Sequence, residues 1–313
     1  MKQKLAKYLA DFFAANGVTD VFTVTGGGAM HLNDALGHHP ALRCTYNHHE
    51  QASAIAAEGY ARLTGKPALV CVTSGPGGTN AITGVLGAWL DSIPMFVVSG
   101  QVKRATTTSA TEVPLRQLGD QEYPIVESIA PMTKYACMVN DPERIRYHLE
   151  RGLYLATHGR CGPVWLDIPL DVQAALIDTD ALRGYDPAED PGETPAFDPH
   201  TAETVLEKIA AAKRPVMLAG EGVRLGKAYD AFLKAAWNYA WCGAAYERAG
   251  VIDMRQKRWA LAEEHLRRAI DANARNMEAR DALMIALRVQ GRTDEALALA
   301  EETLRLDPLN GVA

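Results

Sequence analysis

Over residues 1 to about 185, short apolar runs alternate with stretches of helical periodicity. The runs are VFTVT (21–25), LRCTY (42–46), ALVCVTSG (68–75), MFVVSG (95–100), KYACMV (134–139) and PVWLDIP (163–169). Most are β-branched or apolar on both faces, which suits strands covered by a helix layer on each side. Helical patterns fill 2–16, 49–64, 78–91 and 141–157. This alternation predicts an α/β fold, a six-stranded, mostly parallel sheet with helices on both faces. Hydrophobic residues at 48% and charged residues at 22% exclude a disordered or low-complexity chain. A net charge of -6 gives no reason to expect a nucleic-acid or anionic-membrane partner. No apolar run is long enough to span a membrane, and MKQKLAKYLADFFAANG reads as an amphipathic helix rather than a signal peptide. Five cysteines stand far apart with no CxxC, so the expectation is a reducing cytoplasm, with no zinc site and no disulfide framework.

The texture changes near Asp178, where a segment with four of the 16 prolines and many acids begins. The expected domains are 1–180, a linker at 181–199, a short αβ unit at 200–227 containing the strand PVMLAG (215–220), and an all-α tail at 228–313. At a spacing of 34, three tail segments superpose. Ala228, Phe232 and Ala235 fall on Ala262, Leu266 and Ala269, then on Ala296, Ala300 and Thr303. Ile270 pairs with Leu304, and Asn276 with Asn310. That period, with small residues where helices cross, resembles tetratricopeptide repeats and predicts helices near 228–241, 243–256, 259–273, 277–290 and 293–306. A generic helix bundle is the alternative. The array begins in mid-repeat, because the stretch before Ala228 reads as a helix end, a proline and a strand.

Three segments of the first domain can carry chemistry. VFTVTGGGAM (21–30) runs a strand into three glycines, where a ligand can approach the backbone closely. In NHHEQASAIAAEGYARLTGKPALVCVTSGPGGTN (47–80), Glu50 opens a helix after a strand, which alone suits a first-turn acid facing the helix dipole. Adjacent His48 and His49 diverge on a helix and chelate one metal poorly, and no HExxH occurs. The SGPGGTN loop (74–80) can hold an anion but is not GxGxxG. LGDQE (118–122) is by itself an ordinary surface loop.

In this order and spacing, residues 1–180 resemble the N-terminal, pyrimidine-binding domain of thiamine diphosphate enzymes of the acetolactate synthase type. The motifs are VFTVTGGG, HEQASAIAAEGYARLTGKPALVCVTSGPGGTNAITGVLGAWLDSIPMFVVSGQV and the later QE. AAAKRPVMLAGEGVRLG resembles the opening of that family's central domain. The resemblance implies that Glu50 hydrogen-bonds a ring nitrogen of the aminopyrimidine and favours the tautomer that removes the thiazolium C2 proton. It implies that Gly26 and Gly27 lie near that ring, that Pro76, Gly77 and Asn80 shape its pocket, and that Gln121 reaches toward the substrate. Thr25 stands where the family usually has proline, and Asp120 where it often has an aromatic residue, which leaves the 2-keto acid open.

The resemblance also implies Mg²⁺ and a diphosphate held on a second α/β domain marked by GDG and a later Asn. No GDG occurs in these 313 residues, so no metal-site residue is assigned and Mg²⁺ is expected from a domain outside this chain. Three readings follow. The chain is half of a 2-keto acid decarboxylase or carboligase site, working as a homodimer or with a diphosphate-domain chain. Or it is an interaction protein whose repeats bind a protein partner. Or it is a non-functional gene fusion with a catalytically dead first domain. The fold expectation places Glu50 at the C-terminal edge of the sheet, close to the GGG and SGPGG turns.

Overall fold

The computed structural model describes residues 1–190, 198–212, 220, 222–226, 228, 230–232 and 242–312. They form two compact units, Met1–Asp198 and Pro199–Ala313.

Among its described residues the first unit carries eight strands: β1 (Lys2–Lys4), β2 (Asp20–Thr23), β3 (Arg43–Tyr46), β4 (Ala68–Val72), β5 (Met95–Gln101), β6 (Tyr135–Met138), β7 (Pro163–Pro169) and β8 (Leu176–Asp178). Its helices are α1 (Leu5–Ala15), α2 (Met30–Gly37), α3 (Glu50–Thr64), α4 (Pro76–Leu90), α5 (Ile125–Ile129), α6 (Ile145–Thr157) and α7 (Leu170–Ala174). All six predicted strands pair in parallel in one sheet, in the order β3-β2-β4-β5-β7-β6. Side chains alternate across it as the two-residue strand period requires. Leu69, Cys71, Phe96, Val98, Val164 and Leu166 join a core with α1, α2 and α6. Val70, Val72, Met95, Val97 and Trp165 join a second core with α3, α4 and α5. Strands buried on both faces explain why these runs read as continuously apolar.

The order of connections positions the site. From β2 the chain passes to β3 on one side, then returns across β2 to β4 on the other. Between β2 and β4 the winding reverses, and outside the strand ends at such a reversal an open α/β sheet leaves a crevice. Gly26–Gly28 follow β2 and Thr73–Pro76 follow β4, so both turns lie on that crevice.

Some elements differ from the sequence expectation. β1 and β8 form a short antiparallel pair, Lys2 opposite Asp178, that ties the start of the unit to its end. Pro76 stands in the first turn of α4, so most of the expected SGPGGTN loop is helix, with proline where its missing N–H costs nothing. His48 and His49 precede α3, and the Nδ1 of His49 caps it by accepting from the Gln51 N–H at 3.1 Å. Within the expected linker, Arg151 forms a bidentate pair with Asp190, and Tyr147 donates to Glu189.

In the second unit, α8 (Pro199–Ala211) and a single turn α9 (Gly222–Leu225) precede α10 (Cys242–Arg255), α11 (Trp259–Ala272), α12 (Met277–Val289) and α13 (Thr293–Leu306). The expected strand at 215–220 and most of the helix at 228–241 lie outside the described residues. The other four predicted helices are present. The 34-residue period is written in the backbone as well as in the residue types. Arg258 before α11 (φ -86°, ψ 64°) matches Arg292 before α13 (φ -88°, ψ 61°). Lys257 and Gly291, 34 apart, share a positive φ of 57° and 77°. Asn276 donates to Glu247 at 3.2 Å, and one period later Asn310 donates to Asp281 at 3.0 Å.

Each unit has its own apolar core, and the tail core of Leu266, Ala269, Leu283, Ala286, Leu287 and Ala296 shares no residue with those around the sheet. A chain ending at Asp198 is therefore expected to melt within about 3 °C of the parent's first transition, the range of a change below ~1 kcal/mol in a domain of this size. Circular dichroism checks this, and collapse of the sheet signal on truncation would show one cooperative unit instead.

Candidate active site

At the crevice, Glu50 is the first residue of α3 and its carboxylate is buried. Its Oε2 accepts from Asn80 Nδ2 at 2.9 Å, and Asn80 stands in the second turn of α4. Among the described residues, Oε1 has no hydrogen bond. It lies 3.5 Å from where a Cβ on Gly77 would stand. That same Cβ would meet the Thr73 methyl at 2.6 Å, so Gly77 lets the carboxylate, Thr73 and the start of α4 close together.

Thr73 also joins the glycine turn. Its Oγ1 accepts from the Gly28 N–H at 3.0 Å, and a Cβ on Gly26 would strike its side chain at 2.4 Å. A Cβ on Gly27 would meet nothing within 4 Å, so that residue faces open space. Thr73 thus links Gly26, Gly28 and Gly77, with Glu50 beside Gly77, Asn80 bonded to Glu50, and Pro76 next to Gly77 at the start of α4.

Gln121 comes to this mouth through its main chain. Gly75 has φ +52°, and a Cβ there would stand 2.1 Å from the Gln121 carbonyl oxygen. Gln121 itself is exposed and holds a left-handed backbone (φ 56°) that side chains rarely adopt. The conformation is held next door. The carboxylate of Glu122 accepts from the N–H groups of Thr108, Leu118 and Gly119 and from the Thr108 hydroxyl. Burial pushes this carboxyl up, but those donors outweigh it and hold it below the usual range.

Behind the mouth lie five residues that sequence reasoning did not single out. Gln173 is fully buried and donates from Nε2 to the carbonyls of Gly28 and Ile168, both at 2.7 Å, which pins the glycine turn from below. Asp167 in β7 accepts from Ser99 Oγ at 2.6 Å and Gln101 Nε2 at 3.0 Å. Trp165 Nε1 donates to the same Ser99 Oγ at 2.8 Å. The one signal for Asp167 in the sequence is an acid inside the otherwise apolar run PVWLDIP.

Burial pushes Asp167 up to about 7, against the pull of its two donors. An unfolded aspartate titrates near ~3.9, so the folded chain holds an extra proton between about pH 4 and pH 7. The stability this contributes is full below the unfolded pKa and lost as pH rises through about 7. His148 acts in the opposite sense. Burial first, then Arg144 and Arg151, lower it to about 4, so its contribution is lost as pH falls through that value. Asp167→Asn is expected to remove the first slope alone. Relative to the parent, the variant gains on the order of 3 kcal/mol between pH 4 and pH 8, read from urea midpoints. A constant difference across that range would show that Asp167 does not titrate there.

The crevice brings together a buried acid at a helix start, its amide partner on the next helix and two glycine turns at the sheet's reversal. Residues 3–122 match the family model for the thiamine pyrophosphate enzyme, N-terminal TPP binding domain. Over 229 residues, 70% of this chain and 32% of the relative, it is 37% identical to acetolactate synthase, chloroplastic, of Arabidopsis thaliana. It is 37% identical over 227 residues to acetolactate synthase 2, chloroplastic, of Nicotiana tabacum. It is 33% identical over 221 residues, 37% of the relative, to the acetolactate synthase isozyme 1 large subunit of Escherichia coli strain K12. The chain spans about a third of the length of these curated relatives. Together the matches support the thiamine pyrophosphate enzyme family for the N-terminal part. The thiamine pyrophosphate-binding match covers every element that builds the crevice from β2 to Gln121. Among the described residues, no helix is long and apolar enough to cross a membrane.

Proposed function

We propose that residues 1–180 form the pyrimidine half of a thiamine diphosphate site for decarboxylation or carboligation of 2-keto acids. The observation that carries this reading is the free Oε1 of Glu50, held beside Gly77 while Oε2 is fixed by Asn80. A flat ring presenting a nitrogen fits a carboxylate oxygen without a protein partner, with Gly27 open alongside. When bound, thiamine diphosphate supplies the electron sink for 2-keto acid chemistry. Glu50 holds or gives a proton at Oε1, Asn80 fixes the direction of that oxygen, Pro76 and Gly77 shape the pocket beside it, and Gly26 and Gly27 lie near the ring. Gln121 serves the substrate side.

The diphosphate and its Mg²⁺ are proposed to sit on a domain outside these 313 residues, and the chain to associate as a homodimer or with a diphosphate-domain chain. Leu86, Trp89 and Leu90 on α4 are exposed and offer apolar surface for such an association. A cytoplasmic setting agrees with the free thiols of Cys44, Cys71, Cys137 and Cys161. A second reading rests on the 34-residue repeat of the tail, which resembles tetratricopeptide repeats and suits binding of a protein partner, or a fusion to an idle first domain.

Calorimetry on the full chain tests the first reading. Thiamine and thiamine diphosphate with Mg²⁺ are both expected to bind with Kd on the order of 1 mM, about -4 kcal/mol, and Glu50→Ala to abolish both. No heat with either compound would sink the pyrimidine assignment. Binding of the diphosphate form about a thousandfold tighter would show a metal–diphosphate anchor on this chain.

A further inference from the structure

We propose that Gln101, oriented by Asp167, is a positioning residue that sets the Gln121 loop against the Gly75 turn. The inference rests on Gln121 serving the substrate side of the site.

Gln101 ends β5 and is buried. Every hydrogen-bonding atom of its amide is committed. Oε1 accepts from the Val102 N–H at 3.0 Å, and Nε2 donates to Asp167 Oδ2 at 3.0 Å and to the Tyr123 carbonyl at 2.9 Å. The set cannot be flipped without turning Oε1 onto the Tyr123 carbonyl oxygen and an amide N–H onto the Val102 N–H. Asp167 is in turn fixed by Ser99, and Ser99 by the indole of Trp165 in the core. A rigid chain of bonds therefore runs from the middle of the sheet to Tyr123.

Two residues before Tyr123 stands Gln121, whose strained backbone brings its carbonyl onto Gly75. The Gly75 carbonyl accepts from the Thr79 N–H at 3.0 Å, in the first turn of the helix whose next residue is Asn80. The Tyr123 bond thus fixes where the Gln121 loop meets the start of α4. From its other end the loop is held by Glu122, whose bonds run to Thr108, Leu118 and Gly119 and none to the sheet. Gln101 is the link that gives the loop its height above the strands. Its role differs from that of Gln173, which holds the glycine turn through the Gly28 carbonyl.

The test is hydrogen exchange on the full chain carrying Gln101→Met, similar in size but without a donor. Exchange at Gly119 and Glu122 is expected to speed at least tenfold, while Val97 and Val98 in β5 keep the parent rate. Unchanged exchange in the loop would overturn the proposal. So would equal acceleration in loop and strand, which is what loss of general stability produces. If the variant does not fold, because it leaves the Asp167 carboxylate buried without its donor, Gln101→Met with Asp167→Asn removes that charge and takes the same measurement. In a site completed by a diphosphate-bearing chain, Gln101→Met is expected to raise KM for pyruvate at least tenfold with cofactor affinity kept. An unchanged KM there overturns the positioning role. Failure of the parent itself to turn over pyruvate is a failure of the proposed function, and the exchange result still decides the loop.

Discussion

Alanine at Gly100 is expected to unfold the first unit. Gly100 lies near the end of β5, buried, opposite Ile168 of β7. A Cβ there would stand 2.1 Å from the Gly28 carbonyl oxygen, 2.3 Å from its carbon and 2.6 Å from the Ala29 Cα. These are main-chain atoms. They cannot rotate away, and the carbonyl is also fixed by Gln173 at 2.7 Å. Either the glycine turn leaves the sheet, breaking its bonds to Thr73 and Gln173, or β5 moves against both its partners. The cost is expected to exceed about 4 kcal/mol, a large part of the ~5–15 kcal/mol that holds a domain together. Gly87→Ala in α4 is the control, since its Cβ would meet only Glu58 Oε1, at 3.8 Å. That change is expected to stabilise by about 0.5–1 kcal/mol through helix propensity. Urea midpoints measure both. A Gly100→Ala protein within about 1 kcal/mol of the parent would show that the glycine turn does not press on β5.

Strands β2, β4, β5 and β7 were legible because burial on both faces makes runs such as ALVCV and MFVVS apolar throughout. The short helices α5 and α7 were not, because five residues hold too few turns to show a period. The β1–β8 pair was hidden because its polar strand KQK gains its partner from 174 positions away. Glu50, Asn80 and the glycine turns were legible as motifs. Only the fold shows what joins them, since Thr73 looks like an ordinary strand-end residue yet touches three glycines. Gln101 and Asp167 were hidden for a related reason. A buried amide and acid mark a site only once their partners are known, and these partners come from two strands and a distant loop. In the tail, the residues chosen for the 34-residue match include Asn276 and Asn310. Each bonds an acid 29 positions earlier, so there sequence period and structural repeat have one cause.

Glu50→Gln is expected to silence a completed site while leaving the fold in place. The side chains are nearly the same shape, so the start of α3 has no steric reason to move. What changes is the sign of one hydrogen-bonding group. Asn80 Nδ2 donates to Oε2, and a glutamine must turn its only oxygen that way to satisfy it. The amide nitrogen then occupies the place of Oε1 and presents hydrogen where the acid presented a lone pair. A ring nitrogen that shares a proton with a carboxylate cannot share one with an amide, so the proton relay is lost. General acid–base catalysis of this kind is worth about 10²–10⁴-fold, and that fall in kcat/KM is the expected loss. The assay is pyruvate consumption with thiamine diphosphate, Mg²⁺ and a chain carrying the diphosphate domain. The chain alone is expected to show no turnover with either residue at position 50, because positioning of the reacting carbon needs both halves of the site. Glu58→Gln, eight residues along α3 where the acid pairs with Arg62, removes the same charge from the same helix. It is expected to keep activity within about twofold, since an i,i+4 ion pair along a helix contributes under ~1 kcal/mol. Equal losses from the two substitutions would mean that charge on α3, and not the free oxygen of Glu50, is what the site requires.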